Sequence, residues 1–444
     1  RLVLADGTRL DSEDPASVAA FQASHASLLE ALARLGRETR ANTELADRIR
    51  HKYRLKNTTG LSLNALVDYD KPLDILQHLL VGSEGTLGFI SAVTYDTVPD
   101  HPHKASALLV FPSVESCCRA VTVLKRQPVS AVELLDRRSL RSVQNMPGMP
   151  VWVKGLSDNA CALLIESRAA SQSLLHEQLH QVMASIADYP LEQQVDFSED
   201  PAVYNQLWKI RKDTFPAVGA VRQTGTTVII EDVTFPVEQL AEGVNRLIQL
   251  FDKHHYDEAI IFGHALEGNL HFVFTQGFNS AEEVARYQAF MDDVAQLVAV
   301  EFGGSLKAEH GTGRNMAPFV ELEWGSDAYQ LMWKLKRLLD PNGILNPDVV
   351  LSTDPDIHLK NLKPLPAADE IVDKCIECGF CEPVCPSKGL TLSPRQRIVM
   401  WRDIQAKKRA GIDTRALLQT YQYQGIDTCA CLLYTSPSPR DKRQ

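Results

Sequence analysis

Cys375, Cys378, Cys381 and Cys385, followed at once by Pro386, form the run C-x2-C-x2-C-x3-C-P in CIECGFCEPVCP. This is the ligand spacing of a cubane iron–sulfur cluster, and its chemistry is one-electron transfer. A zinc ribbon needs two separated C-x2-C pairs, which the sequence lacks. Upstream, His264 and His271 stand in GHALEGNLH, where Gly263, Gly268 and Asn269 argue for a loop entering a strand. Two neutral imidazoles joined by such a turn can share a divalent metal with a carboxylate from elsewhere, and two structural histidines are the plain alternative. KAEHGTGR (307–314) supplies a carboxylate in Glu309 and a titratable group beside it in His310. Gly311 and Gly313 leave room for a ligand, and histidine is poised to remove a proton near neutral pH. Together these residues suggest metal-assisted proton removal from a carbon or oxygen acid. Arg211 in LWKIRKDTFP has the fork that suits a carboxylate, although surface ion pairing is the default for a lone arginine. GSEGTLG (82–88) has three glycines in seven residues, so its N–H groups can approach a phosphate or flavin edge. It is neither a dinucleotide fingerprint nor a P-loop, and a simple turn also explains it.

These residues need elements to position them. Residues 14–36 read as a helix, with Asp14 as N-cap, Pro15 first and Gly36 as the stop. Val18, Phe21, Leu28, Leu32 and Leu35 recur on one face. Segments 106–135 and 160–188 each read as strand then helix: SALLVF before SVESCCRAVTVLKR, and ACALLIE before SQSLLHEQLHQVMASIA. Further on come a strand at 226–231, a helix near 237–254 and a strand at 258–262 that enters GHALEGNLH. Helices follow at 281–302 and 327–339, the second ended by DPNGILNP (340–347). This alternation predicts an α+β fold with a helix-covered sheet. Residues 353–370 are proline-rich and polar and read as a linker before the cysteine run. No internal repeat is present.

Composition narrows the class. The chain has 444 residues, 44% hydrophobic and 23% charged, with a formal charge of −10 and scattered basic residues. There is no electrostatic footprint for nucleic acid, and no apolar stretch reaches the roughly 18 residues of a membrane span. Six of the nine cysteines lie between Cys375 and Cys431; Cys117, Cys118 and Cys161 sit in apolar surroundings. That usage predicts a reducing cytoplasm without a disulfide framework. The start, RLVLADGTRL, reads as a truncation inside a strand, and residues 432–444 as a disordered or extraneous tail.

GSEGTLGFI, GHALEGNLH, KAEHGTGR and LDPNGILNP occur in the order seen in FAD-linked 2-hydroxy-acid dehydrogenases of the vanillyl-alcohol-oxidase type. With the fused CIECGFCEPVCP, the chain resembles the large bacterial iron–sulfur D-2-hydroxyglutarate dehydrogenases over roughly residues 1–431. The resemblance implies the C-terminal part of an FAD-binding domain at 1–100 and a substrate (cap) domain at 101–352. After the linker it implies a helical, ferredoxin-like 4Fe-4S domain at 371–431. It assigns Gly82, Ser83, Gly85, Thr86, Gly88, Ile90 and Asn346 to FAD. It assigns His264, His271 and Glu309 to a divalent metal, usually taken as zinc, His310 to the base and Arg211 to the substrate carboxylate. Cys375, Cys378, Cys381 and Cys385 take the cluster. A small 2-hydroxy acid is the implied substrate. A quinone or electron-transfer protein is the implied acceptor and the cytoplasm the implied location, with a peripheral place at the inner membrane and a homo-oligomer both left open. D-lactate or glycolate dehydrogenase is the alternative, and an electron-transfer subunit without dehydrogenase activity a third.

Several departures matter. HALEG replaces the commoner H-x-G-D-G, Ile230 stands before EDVTFP where relatives carry lysine, and Val273 replaces a substrate-binding asparagine. The family's main pyrophosphate loop precedes the segment seen here, so this chain alone is expected to bind FAD poorly. Cys429 and Cys431 in DTCAC look like the start of a second cysteine run, and either is a candidate for the first cluster's last ligand, because Cys385 can belong to a second cluster.

Overall fold

The computed structural model describes residues 1–146, 149–363 and 365–429, together with all side chains there except those of 220 and 221. Cys431 and the tail at 432–444 lie outside the described residues. The chain forms two compact units, one of residues 1–212, 230–272 and 286–362, the other of 213–229, 273–285 and 363 onward. The fold is α+β, as the alternation of elements predicted.

In the first unit β1 (Leu2–Val3) pairs with β2 (Arg9–Leu10) and β3 (Phe89–Ile90). Between them run α1 (Pro15–Ser24), α2 (Ala26–Ala41), α3 (Thr43–Lys52), α4 (Ala65–Asp68) and α5 (Pro72–Leu80). Asp14 caps α1 by accepting the Ala16 N–H, with Pro15 in the first turn. The single helix expected over 14–36 is instead two, broken at His25, and Gly36 lies inside α2, not at its end. Packing explains the glycine: a Cβ there would come within 3.1 Å of both Arg40 and Ile75 side chains. Leu32, Ile49, Leu66 and Leu76 form one hydrophobic core with Trp324, Met332 and Leu335 from the other end of the unit.

The larger sheet holds β4 (His103–Phe111), β5 (Ala131–Leu135), β6 (Cys161–Ala169), β7 (Gln193–Ser198), β8 (Thr227–Thr234), β9 (Ile260–His264) and β10 (Asn269–Gln276). Its order is β7-β4-β6-β5-β9-β10-β8. β4 and β6 are buried along nearly their whole length, including the apolar stretches ALLVF and CALLI. α6 (Val114–Leu124), α7 (Arg137–Val143), α8 (Gln172–Ser185), α9 (Pro201–Val221) and α10 (Leu240–Lys253) alternate with the strands. α11 (Ala281–Ala295) gives way to a π-helical turn at Gln296–Glu301, so the helix expected over 281–302 changes pitch before its end. α12 (Val320–Trp324) and α13 (Ser326–Leu339) complete the first unit's core. Ile357 and His358, in the stretch read as a linker, are buried.

In the second unit the cysteine run is followed by α14 (Pro394–Arg409), which opens on a capping box between Ser393 and Gln396, and by α15 (Arg415–Tyr421). No helix among the described residues is long and apolar enough to cross a membrane.

Candidate active site

β5 and β9 run antiparallel with Glu133 directly opposite His264 and Leu135 opposite Phe262. Opposed residues share a face of the sheet, so these four side chains stand together. His264 donates from Nδ1 to Oε1 of Glu133 at 2.6 Å. Arg211, from α9, donates from Nε to Oε2 of the same carboxylate at 2.8 Å and lies 4.2 Å above the Phe262 ring. Burial pushes the Glu133 carboxyl up, but the His264 hydrogen bond and the Arg211 charge outweigh it and hold the group below the usual range. The same hydrogen bond raises His264 above the ordinary imidazole value.

β9 ends at His264, the turn Ala265–Glu267 follows, and Gly268 closes it at φ 68° before β10 begins. Only glycine fits there, because a Cβ would lie 2.0 Å from the Phe235 carbonyl oxygen. The turn brings Nε2 of His264 and Nε2 of His271 to 3.3 and 3.2 Å from one oxygen, Oε1 of Glu309. The ligand atoms of these three residues lie within 4.8 Å of one another. Lys56 holds the other Glu309 oxygen, Oε2, at 2.9 Å. Burial, then the neighbouring His310, lowers His271 to about 4, so it is a neutral donor at pH 7. Two imidazoles and one carboxylate with a half-exposed mouth fit a divalent cation that keeps an open position.

A second donor set, Asp232, His271 and His310, shares His271. Oδ2 of Asp232 accepts the N–H groups of Ala308, Glu309 and His310 at 3.1, 2.6 and 3.2 Å. Its Oδ1 lies 3.3 Å from Nδ1 of His310 and 3.2 Å from Nζ of Lys307. Lys307 also pairs with Glu231, to which Asn315 donates at 2.5 Å. The ammonium of Lys307 already supplies the positive charge here, so the His264–His271–Glu309 set is the one suited to a metal. The His271 and His310 rings stack, with centroids 4.9 Å apart at 18°.

The loop carrying Glu309 and His310 is clamped on both sides. The Glu84 carboxylate accepts the Gly313 N–H at 3.0 and 3.2 Å, and the Gly313 carbonyl accepts the Val350 N–H at 3.0 Å. Gly82, Glu84 and Gly85 adopt φ of 75°, 53° and 74°. Left-handed residues spaced like this turn backbone N–H groups into a concavity that suits an anionic or electron-rich edge, and nothing lies within 4 Å of the position of a Gly85 Cβ. The residues that resemblance assigns to FAD play different local parts. Ser83 and Thr86 donate their hydroxyls to the carbonyls of Leu80 and Ser83. Gly88 makes room for Leu80, Ile90 pairs with Leu2, and Asn346 donates to the Glu84 carbonyl at 2.7 Å. The Ser83 and Thr86 side chains are thus engaged within the turn itself.

In the second unit, Cys375 and Cys429 are half-buried, Cys378 and Cys381 exposed and Cys385 buried. The Glu377 N–H points at Sγ of Cys375 at 3.3 Å, with Glu377 and Gly379 left-handed. Arg222 and Arg402 both donate to the Cys375 carbonyl, at 2.9 and 2.7 Å. An N–H aimed at a cysteine sulfur on a pinned, tightly turning loop fits a cluster ligand. Thr428 is tied to the other end of the run, because Ser387 donates to its carbonyl at 2.6 Å.

Sequence reading missed Glu133, Asp232, Lys307 and Lys56. A lone acid in the apolar strand AVELL was the available signal for Glu133.

Residues 100–350 match the sequence profile of a family described as FAD linked oxidases, C-terminal domain. The chain belongs to this family. Among curated relatives, the FAD-linked oxidase chain is 32% identical over 276 residues to a mitochondrial D-lactate dehydrogenase [cytochrome] of Arabidopsis thaliana, covering 61% of this chain and 46% of that one. It is 30% identical over 285 residues to glycolate oxidase subunit GlcD of Escherichia coli (strain K12), covering 63% and 54%. It is 28% identical over 285 residues to a probable mitochondrial D-2-hydroxyglutarate dehydrogenase of Oryza sativa subsp. indica, covering 62% and 48%. The FAD-linked oxidase chain thus spans about half the length of the curated relatives it matches.

Proposed function

We propose that the chain is part of an FAD-dependent dehydrogenase that oxidises D-2-hydroxyglutarate to 2-oxoglutarate. The observation that carries this reading is the meeting, in one unit, of His264, His271 and Glu309 with His310 on one side and Arg211 on the other. Arg211 receives the substrate's C1 carboxylate, steadied by Glu133 and the Phe262 ring. His310 takes the hydroxyl proton on Nε2, with the Asp232 carboxylate 3.3 Å from its Nδ1 to balance the charge gained. The pinned loop 308–310 keeps that nitrogen in place.

Three groups, when bound, would complete the chemistry. A divalent cation, zinc by resemblance, on His264, His271 and Glu309 supplies Lewis acidity that lowers the pKa of the hydroxyl. FAD against the 82–86 turn supplies the two-electron acceptor for the C2 hydrogen. A 4Fe-4S cluster on Cys375, Cys378, Cys381 and Cys385 supplies one-electron transfer toward an external acceptor.

A second reading has D-lactate or glycolate as substrate. Ile230 and the fully buried Val273 favour it, because neither offers a donor to a second carboxylate. Anaerobic flavin reduction by the three acids in parallel, in the full-length protein, separates the readings. Reduction by D-2-hydroxyglutarate alone supports the first, and reduction by a short acid the second. With the preferred acid, His310→Ala should slow flavin reduction by roughly 10²–10⁴-fold; an unchanged rate removes His310 as the base.

A further inference from the structure

We infer that Glu133 is a positioning residue that ties the metal set to the substrate-binding arginine, so that one buried carboxylate fixes both. The inference rests on the reading of Arg211 and the His264–His271–Glu309 set given above. Its two oxygens have separate duties: Oε1 receives Nδ1–H of His264 at 2.6 Å, and Oε2 receives Nε–H of Arg211 at 2.8 Å. The first bond leaves Nε2 of His264 as the unprotonated nitrogen facing Glu309. An imidazole used as a metal ligand needs this kind of outer partner to hold its tautomer and ring plane. The second bond fixes the arginine from the side of its chain, against the Phe262 ring.

The backbone makes the arrangement stiff. Glu133 sits on β5, an interior strand paired on one side with β6, opposite Leu164, and on the other with β9, opposite His264. A strand held on both edges cannot slide by one residue without turning its side chains to the other face. Glu133 thus reaches the site from a fixed point of the sheet, whereas Arg211 comes from a helix and His264 from the end of a strand. Replacing the carboxylate with an amide keeps the shape but removes the charge, and an amide can accept from one partner only while turning its NH2 toward the other.

The test uses Glu133→Gln in the full-length protein, with a zinc-affinity measurement that needs no turnover and an inhibition measurement that does. Zinc affinity is measured on metal-stripped protein by competition with a chromophoric chelator. Arginine occupancy is read from the inhibition constants of two acids that lack the 2-hydroxyl, glutarate and propionate. The expected result is a loss of roughly 10–100-fold in zinc affinity, the scale of outer-partner losses, together with weaker inhibition by both acids. A fall in only one of the two affinities, or in neither, overturns the inference. Wild-type protein that binds no zinc at this set would instead overturn the reading beneath it, which keeps the two failures apart. If Glu133→Gln does not fold, Glu133→Asp, which keeps the charge and shortens its reach, decides: unchanged affinities for zinc and for the acids overturn the inference.

Discussion

His264 and His271 are shifted in opposite directions, and the cation site inherits its pH response from the difference. A metal binds imidazole only in its neutral form. His264 is raised above its ordinary value by the hydrogen bond to Glu133, so on acidification it protonates first. His271, lowered to about 4 by burial and then by His310, stays neutral far longer. Zinc affinity should therefore be flat at alkaline pH and fall about tenfold per unit once pH drops below the raised value of His264. It should steepen again only near pH 4. Competition titrations across this range would check it, and a two-proton slope already present near neutrality would contradict the assignment. Burial pushes Glu309 up, but Lys56 and the histidines outweigh it and hold the carboxyl below the ordinary value. These residues were unevenly legible in the sequence. His264, His271, Glu309 and His310 lie within short motifs whose spacing already suggests a shared ligand. Lys307 opens KAEHGTGR and Asp232 lies in EDVTFP, but their meaning depends on contacts across some 76 residues. No local pattern records a contact of that kind.

The element that makes the site is the short connection between β9 and β10. Gly268 holds it in the left-handed region with the Phe235 carbonyl packed against its α-carbon. Gly268→Ala adds both an αL penalty of about 1–2 kcal/mol and a backbone clash that must be relieved by movement. A loss of about 2 kcal/mol or more is expected in denaturant unfolding, with weakened zinc binding because His271 follows on β10. Stability and zinc affinity indistinguishable from wild type would show that the turn tolerates a Cβ. The elements themselves were readable where the local pattern was strong, as in SALLVF of β4 and ACALLIE of β6. The helix at 14–36 was misread because its break at His25 carries no proline or glycine, whereas the glycine that seemed to end it is there for packing against Ile75 and Arg40. Such close approach depends on α2 meeting α5, which no local pattern records.

At the scale of the whole molecule, strand order and chain order diverge. β5 pairs early with β6, but its other neighbour, β9, begins only at Ile260, more than a hundred residues after β5 ends at Leu135. At about 5–20 residues per second of synthesis, that edge waits several seconds or longer for its partner. An apolar edge left open this long invites pairing with another chain, and a charge within it is a common deterrent. Glu133 is the only charged residue in AVELL. The carboxylate that later vanishes between Arg211 and His264 would meanwhile act as a sentry on a half-built sheet. Glu133→Val should then raise the aggregated fraction on refolding, more steeply with protein concentration than its loss of native stability accounts for. A concentration-independent yield would mean that the growing sheet needs no guard at this edge.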